Sequence, residues 1–178
     1  SRAALVERHL ERTDDAIELY ELALRLNSQS PRALAALKRL HYSQRRWQDL
    51  VRLLSLESEL ATDDAISTMA LYSIARVQSY RLGNQQDAVT ALERAVQLAP
   101  QDTLILEELA RLYESTDRFE ALVVVLQLLV EVIADTDERL ALLHRMGQVY
   151  EERLSQDESA AFCYEAALAL NATYAPAL

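Results

Sequence analysis

The chain has 178 residues, with 18 Lys and Arg against 28 Asp and Glu, a formal net charge of −10. Half of it is hydrophobic (51%, including 33 Leu and 27 Ala), and it holds only two Gly, three Pro and one Cys. This composition excludes an all-β fold, whose turns draw on Gly and Pro, a disordered chain, and a disulfide framework or Cys-rich metal site.

Apolar residues recur at i, i+3, i+4 and i+7, the signature of helices with one buried face. The first two helices are expected near 3–12 and 14–27, with Asp14 and Asp15 read as a helix start. Pro31 opens a helix over 31–43, because Pro at a helix start gives up only an N–H that would be orphaned anyway. Helices near 46–61 and 65–82 follow, the latter behind Asp63-Asp64 as an N-cap and closed by Gly83-Asn84. In the helix 85–98 the small Ala95 between Leu92 and Leu98 lets a neighbouring helix approach closely. Pro100 is read as the start of the helix 102–115. Helices near 118–134, 137–154 and 157–170 complete the series, with Asp135-Thr136-Asp137 as another N-cap, and a further helix begins near 175. No apolar run reaches 18 residues, so no membrane insertion is expected.

Self-comparison reveals a period of 72 residues. Residues 14–28, 86–100 and 158–172 align, keeping Ala16, Ala88 and Ala160 in step, and likewise Ala23, Ala95 and Ala167, Glu21, Glu93 and Glu165, and Leu26, Leu98 and Leu170. The blocks 45–64 and 117–136 match as well, as do 34–41 with 106–113 and 71–83 with 143–155. Each period contains two helix pairs. Pairs of this size bury their apolar faces only by stacking on one another, so contacts are local and the array is quasi-one-dimensional.

The pattern resembles the tetratricopeptide repeat (TPR) family. Leu143, Met146-Gly147 and Tyr150 match the family's first helix, and Ala160, Tyr164 and Ala167 its second. Ala88, Leu92, Ala95 and Pro100 match the second half of another copy, and Ala16, Tyr20 and Ala23 a third. The blocks 46–61 and 118–134 depart from the motif, with Leu50, Leu54 and Glu57 or Leu128 where the small Ala pair belongs. Successive second helices are therefore spaced alternately near 33 and 39 residues. The resemblance implies an all-α, TPR-like α-solenoid, a right-handed superhelix of antiparallel pairs near 3–27, 31–61, 65–98, 102–134 and 137–170.

The resemblance also implies a groove lined by the first helix of each pair. Its positions fall at Arg32, Ala35, Arg39 and Tyr42, then Met69, Tyr72, Arg76, Ser79 and Tyr80. They continue at Glu107, Arg111 and Glu114, then His144, Gln148 and Glu151. Arg39, Arg76 and Arg111 share one register position and form an expected ladder for an extended acidic or polar segment. The Lys and Asn of the family's carboxylate clamp are absent from the corresponding positions, so chaperone tails are not the expected ligand.

Charge sharpens this reading. Residues 1–100 carry 13 basic and 13 acidic groups, and residues 101–178 carry 5 and 15. A basic island spans 32–52. The acidic balance disfavours general nucleic-acid binding and places an RNA-binding repeat low. His9, His41 and His144 have no metal-ligand spacing, no HExxH or Gly-rich phosphate loop occurs, and Cys163 has no His nearby in the chain. His41 aligns with Tyr113, which points to packing.

No catalysis and no cofactor are expected. The expected function is a protein-interaction scaffold holding a partner protein or peptide. The alternative is a passive spacer or dimerisation arm of a larger protein, enzymatic or not. The chain begins Ser-Arg-Ala-Ala and ends Ala-Pro-Ala-Leu, which reads as a fragment of a longer array with uncapped ends open to self-association. The cytoplasm is favoured over the periplasm, and the sequence does not fix the compartment.

Overall fold

The computed structural model describes residues 2–28 and 30–171, with side chains described from Arg12 onward. The expected helix near 175 and the side chain of His9 lie outside the described residues. Among the described residues the fold is all helical: α1 (Arg2–Leu26), α2 (Pro31–Ser43), α3 (Trp47–Leu60), α4 (Asp64–Val77), α5 (Gln85–Leu98), α6 (Thr103–Ser115), α7 (Phe119–Val132), α8 (Thr136–Glu152) and α9 (Asp157–Leu170). No described helix is long and apolar enough to cross a membrane.

The 72-residue period reappears in the backbone. Pro31 and Thr103, Trp47 and Phe119, Asp64 and Thr136, and Gln85 and Asp157 all open helices one period apart. The turns repeat too. Arg45 and Asp117 are left-handed, at φ 57° and 55°, as are Gly83 and Ser155, at 72° and 54°. Each such residue lets the chain leave a helix while a following N–H reaches back to its last turn. Thus Arg46 N–H donates to the His41 carbonyl and Arg118 N–H to the Tyr113 carbonyl, both at 2.9 Å. The caps follow the same rule: the carboxylates of Asp63 and Asp135, one period apart, accept from Ala65 and Glu138 N–H at 2.8 and 2.9 Å.

Three local expectations are corrected. Helix α1 runs unbroken where two helices were expected. Pro100 lies outside any helix, and Asp102 caps α6 through Ile105 N–H. Helix α4 ends at Val77 and passes into a π-helical turn, Gln78–Leu82, instead of continuing as α-helix.

The chain divides into two compact units, residues 1–84 and 85–178. In the first unit each helix packs on its sequence neighbour, α1 on α2, α2 on α3 and α3 on α4. Ile17, Leu24, Ala33, Leu34 and Leu37 form a buried cluster there, with Tyr20, Leu40, Leu53 and Leu56 packed around it. The second unit stacks α5 to α9 in the same sequential way. Leu106, Leu109, Leu112, Leu122, Leu126, Leu129 and Leu140 are buried in it. Ala88, Ala95, Ala160 and Ala167 are buried as well, as small residues between close helices must be.

One polar cluster marks the period inside the core. Tyr113 donates its hydroxyl to Glu93 at 2.8 Å, and Arg118 lies over its ring, 4.8 Å from the centre, while pairing with Glu93 at 3.3 Å. Burial and then the Glu93 carboxylate push the Tyr113 phenol up to about 12. One period earlier stand His41, Glu21 and Arg46. His41 is buried, its Nδ1 has no hydrogen-bond partner, and Arg46 pairs instead with Asp14.

Candidate functional site

The site grows from three helices of the first unit. Residues three, four and seven apart on a helix share a face. Helix α2 thereby presents Ala35, Lys38, Arg39 and Tyr42 together, and α4 presents Ile66, Met69, Ser73 and Arg76. Between them α3 supplies Leu50 and Leu54, the large residues that replace the motif's small pair. They enclose an open cavity of about 770 Å³, lined by Lys38, Arg39, Tyr42, Leu50, Leu54, Ser73, Arg76, Val77, Tyr80 and Arg81. Its lining contains four cations and no carboxylate.

Aromatic rings frame this basic cavity. Tyr42 meets Trp47 edge-on at 5.3 Å, and the Arg81 guanidinium lies over the same indole at 5.2 Å. Arg76 lies 5.9 Å from the centre of the Tyr72 ring. Such stacking holds a guanidinium in place while leaving its N–H groups free to donate. Tyr42 and Tyr80 are each 55% exposed. Among the described residues no ion pair engages Arg39, Arg76 or Arg81.

Of the residues the sequence reading put in the groove, Arg39, Tyr42, Arg76 and Tyr80 line this one cavity. Tyr72 is half-buried beside Arg76, and Arg32 is exposed in the first turn of α2, outside the lining. Ser79 is a correction: it is buried, because the π turn rotates it away from the face it would hold in an α-helix. The remaining expected positions belong to the second unit. Glu107 and Gln148 are exposed there. Arg111 donates through Nε and Nη2 to Glu108 at 3.0 and 2.7 Å. Glu114 pairs with Arg145 at 2.6 Å. The His144 ring sits 5.7 Å from that of Tyr164.

Lys38, Trp47, Leu50, Leu54 and Arg81 were missed. The basic island already contained Lys38, and the departure from the motif already singled out Leu50 and Leu54. Arg81 had no such signal. It is five residues beyond Arg76, well over a third of a turn away in an α-helix, and only the wider π turn brings both to the cavity.

The described residues include no group of three or more His, Cys, Asp or Glu able to hold a metal. Cys163 is buried, which pushes its thiol up and away from a reactive thiolate.

Comparison with known proteins identifies the fold. Residues 70–102 match the tetratricopeptide repeat model. No curated protein sequence matches the chain. Among solved structures, a crystal structure of MamA aligns over 95% of this chain and 94% of its own, at 19% identity and a TM-score of 0.56. YrrB, described as a TPR protein with an unusual peptide-binding site, aligns over 98% and 86%, at 15% identity and 0.54. PilF of Pseudomonas aeruginosa aligns over 90% and 69%, at 18% identity and 0.54. At these identities the likeness is one of fold. The chain has the α-solenoid fold of tetratricopeptide-repeat proteins, and its expected alternation of spacing is present: second helices open at Trp47, Gln85, Phe119 and Asp157, 38, 34 and 38 residues apart.

Proposed function

We propose that this tetratricopeptide-repeat protein is a non-catalytic interaction scaffold whose first unit binds an extended acidic segment of a partner protein in the cavity between α2, α3 and α4. The cavity lining supports the reading: Arg39, Arg76 and Arg81, which no ion pair engages among the described residues, beside exposed Tyr42 and Tyr80. Charged groups converging without their counterions favour a ligand that supplies them. Arg forks suit carboxylates and backbone carbonyls, and each charge-assisted bond contributes roughly 1.5–3 kcal/mol. Peptide binding in YrrB, a protein of the same fold, supports a segment as the ligand.

Of the sequence-derived ladder, two rungs serve this reading. Arg39 and Arg76 face the cavity, whereas Arg111 is already held by Glu108. Affinity capture with the wild-type chain and with Arg39→Ala/Arg76→Ala as parallel baits tests it. Partners lost from the variant should carry acidic segments, and identical captures would count against the site.

A second reading, association through the end of the stack, has its own observation. Leu19 is 68% exposed on α1, while its period mates Ala91 and Cys163 are buried at 6% and 3%. Leu22 and Leu26 are exposed beside it. A further repeat or a second copy would cover such a face. Sedimentation of wild type and Leu19→Glu/Leu22→Glu separates them: a dimer that the variant abolishes supports association, and a monomer in both opposes it.

A further inference from the structure

The basic cavity is one end of a longer trough. Beyond it a hollow of about 400 Å³ is lined by Glu57, Ile66 and Met69 and shares Lys38, Leu54 and Ser73 with the first. A third hollow, sharing Lys38, Glu57 and Ile66 with the second, extends it to Pro31 and Thr62. The character of the lining changes along the way. Ile66 and Met69 are 50% and 65% exposed at the far end. At the junction Lys38 is held by both oxygens of Glu57, at 2.6 and 2.7 Å, which cancels its charge. The positive charge is thereby confined to the Arg end.

We infer that the trough reads polarity: its ligand is an amphipathic extended segment with an acidic residue at one end and a bulky apolar residue four or five positions away. This rests on the groove reading above and adds the apolar half. Ile66 and Arg76 lie ten residues apart on one face of α4, about 15 Å along the axis at 1.5 Å per residue. An extended chain covers that distance in four or five residues at about 3.3 Å each. Arg76, with Arg39 across the cavity, takes the carboxylate. Ile66 and the flexible thioether of Met69 take the apolar side chain, Met adapting to its shape. The Lys38–Glu57 pair between them is self-satisfied and accepts a polar spacer.

The test uses the full chain and three labelled peptides, followed by fluorescence anisotropy. They are Asp-Asp-Ser-Ser-Ser-Leu-Leu, the reversed order Leu-Leu-Ser-Ser-Ser-Asp-Asp, and Asp-Asp-Ser-Ser-Ser-Ser-Ser. One of the two Leu-bearing orders should bind about tenfold or more tightly than the all-Ser peptide, since burying a Leu is worth that much. Ile66→Ser/Met69→Ser should abolish the gain without moving the all-Ser peptide. No gain in either order, or a gain that survives those substitutions, would overturn the inference while leaving the groove reading intact. An all-Ser peptide that fails to bind, or binds Arg39→Ala/Arg76→Ala as well as wild type, would overturn the groove reading and this inference with it.

Discussion

Gly147 of α8 lies against the ring of Tyr164 of α9 so closely that a Cβ on it would stand under 3.0 Å from three ring carbons. The helices meet backbone to ring, and the Tyr164 hydroxyl reaches on to Glu151 at 3.0 Å. Gly147→Ala should therefore cost about 1–3 kcal/mol by overpacking. One period earlier the sequence carries Ala75 and Leu92 at these positions. Gly147→Ala combined with Tyr164→Leu should recover part of the loss, a coupling that thermal unfolding of both singles and the double reads directly.

The same close packing governs the small residues of α5. Ala88 and Ala95 are fully buried, and Ala99 beyond the helix end is only half-buried. Leu at either buried site should cost about 1–3 kcal/mol, and Ala99→Leu much less. Equal effects at all three on the unfolding midpoint would show the packing register to be wrong.

The left-handed turns offer a gain in stability. Asp117 and Ser155 adopt φ values of 55° and 54°, which a side chain disfavours, while Gly83 holds the matching turn without that cost. Asp117→Gly should stabilise the chain by up to about 1 kcal/mol, and Gly83→Ala should destabilise it by about as much. Denaturant midpoints check both signs.

His41 makes stability depend on pH. Burial holds its pKa below 6.5; Asp49 opposes this, Arg46 adds to it and Glu21 opposes it. The unfolded chain thus takes up a proton near pH 6.5 that the folded chain still refuses, so stability present above that pH is lost as the pH falls through and below it. His41→Tyr, the residue at this position in the second period, should flatten the melting temperature between about pH 7 and pH 5. An unchanged slope would remove His41 as the cause.

Much of this was legible because a period imposes consistency. A helix start misread in one copy is corrected by its mate, and eight starts from Pro31 to Asp157 fall in pairs one period apart. The failures lie where that check is missing or local geometry intervenes. At Thr13 both mates, Gln85 and Asp157, open helices, and α1 departs from the period by running on through Thr13-Asp14-Asp15. Pro100 marks a chain reversal, yet the capping carboxylate two residues on decides where α6 begins. The π turn at Gln78–Leu82 has no compositional signature, and it moved Ser79 inward and brought Arg81 to the cavity. The Arg pair at the site was legible from register alone. The neutralisation of Arg111 was not read, although Glu108 stands three residues away on the same helix, within i,i+3 pairing distance.

The role proposed for Arg39 and Arg76 is to hold the acidic part of a partner segment. Its most direct measurement is the affinity of the peptide Asp-Asp-Ser-Ser-Ser-Ser-Ser against salt concentration for wild type, Arg39→Ala/Arg76→Ala and Arg111→Ala. The double variant should bind about tenfold or more weakly with a shallower salt dependence, while Arg111→Ala, whose guanidinium is engaged by Glu108, should match wild type. A double variant indistinguishable from wild type in both affinity and salt dependence would rule that role out.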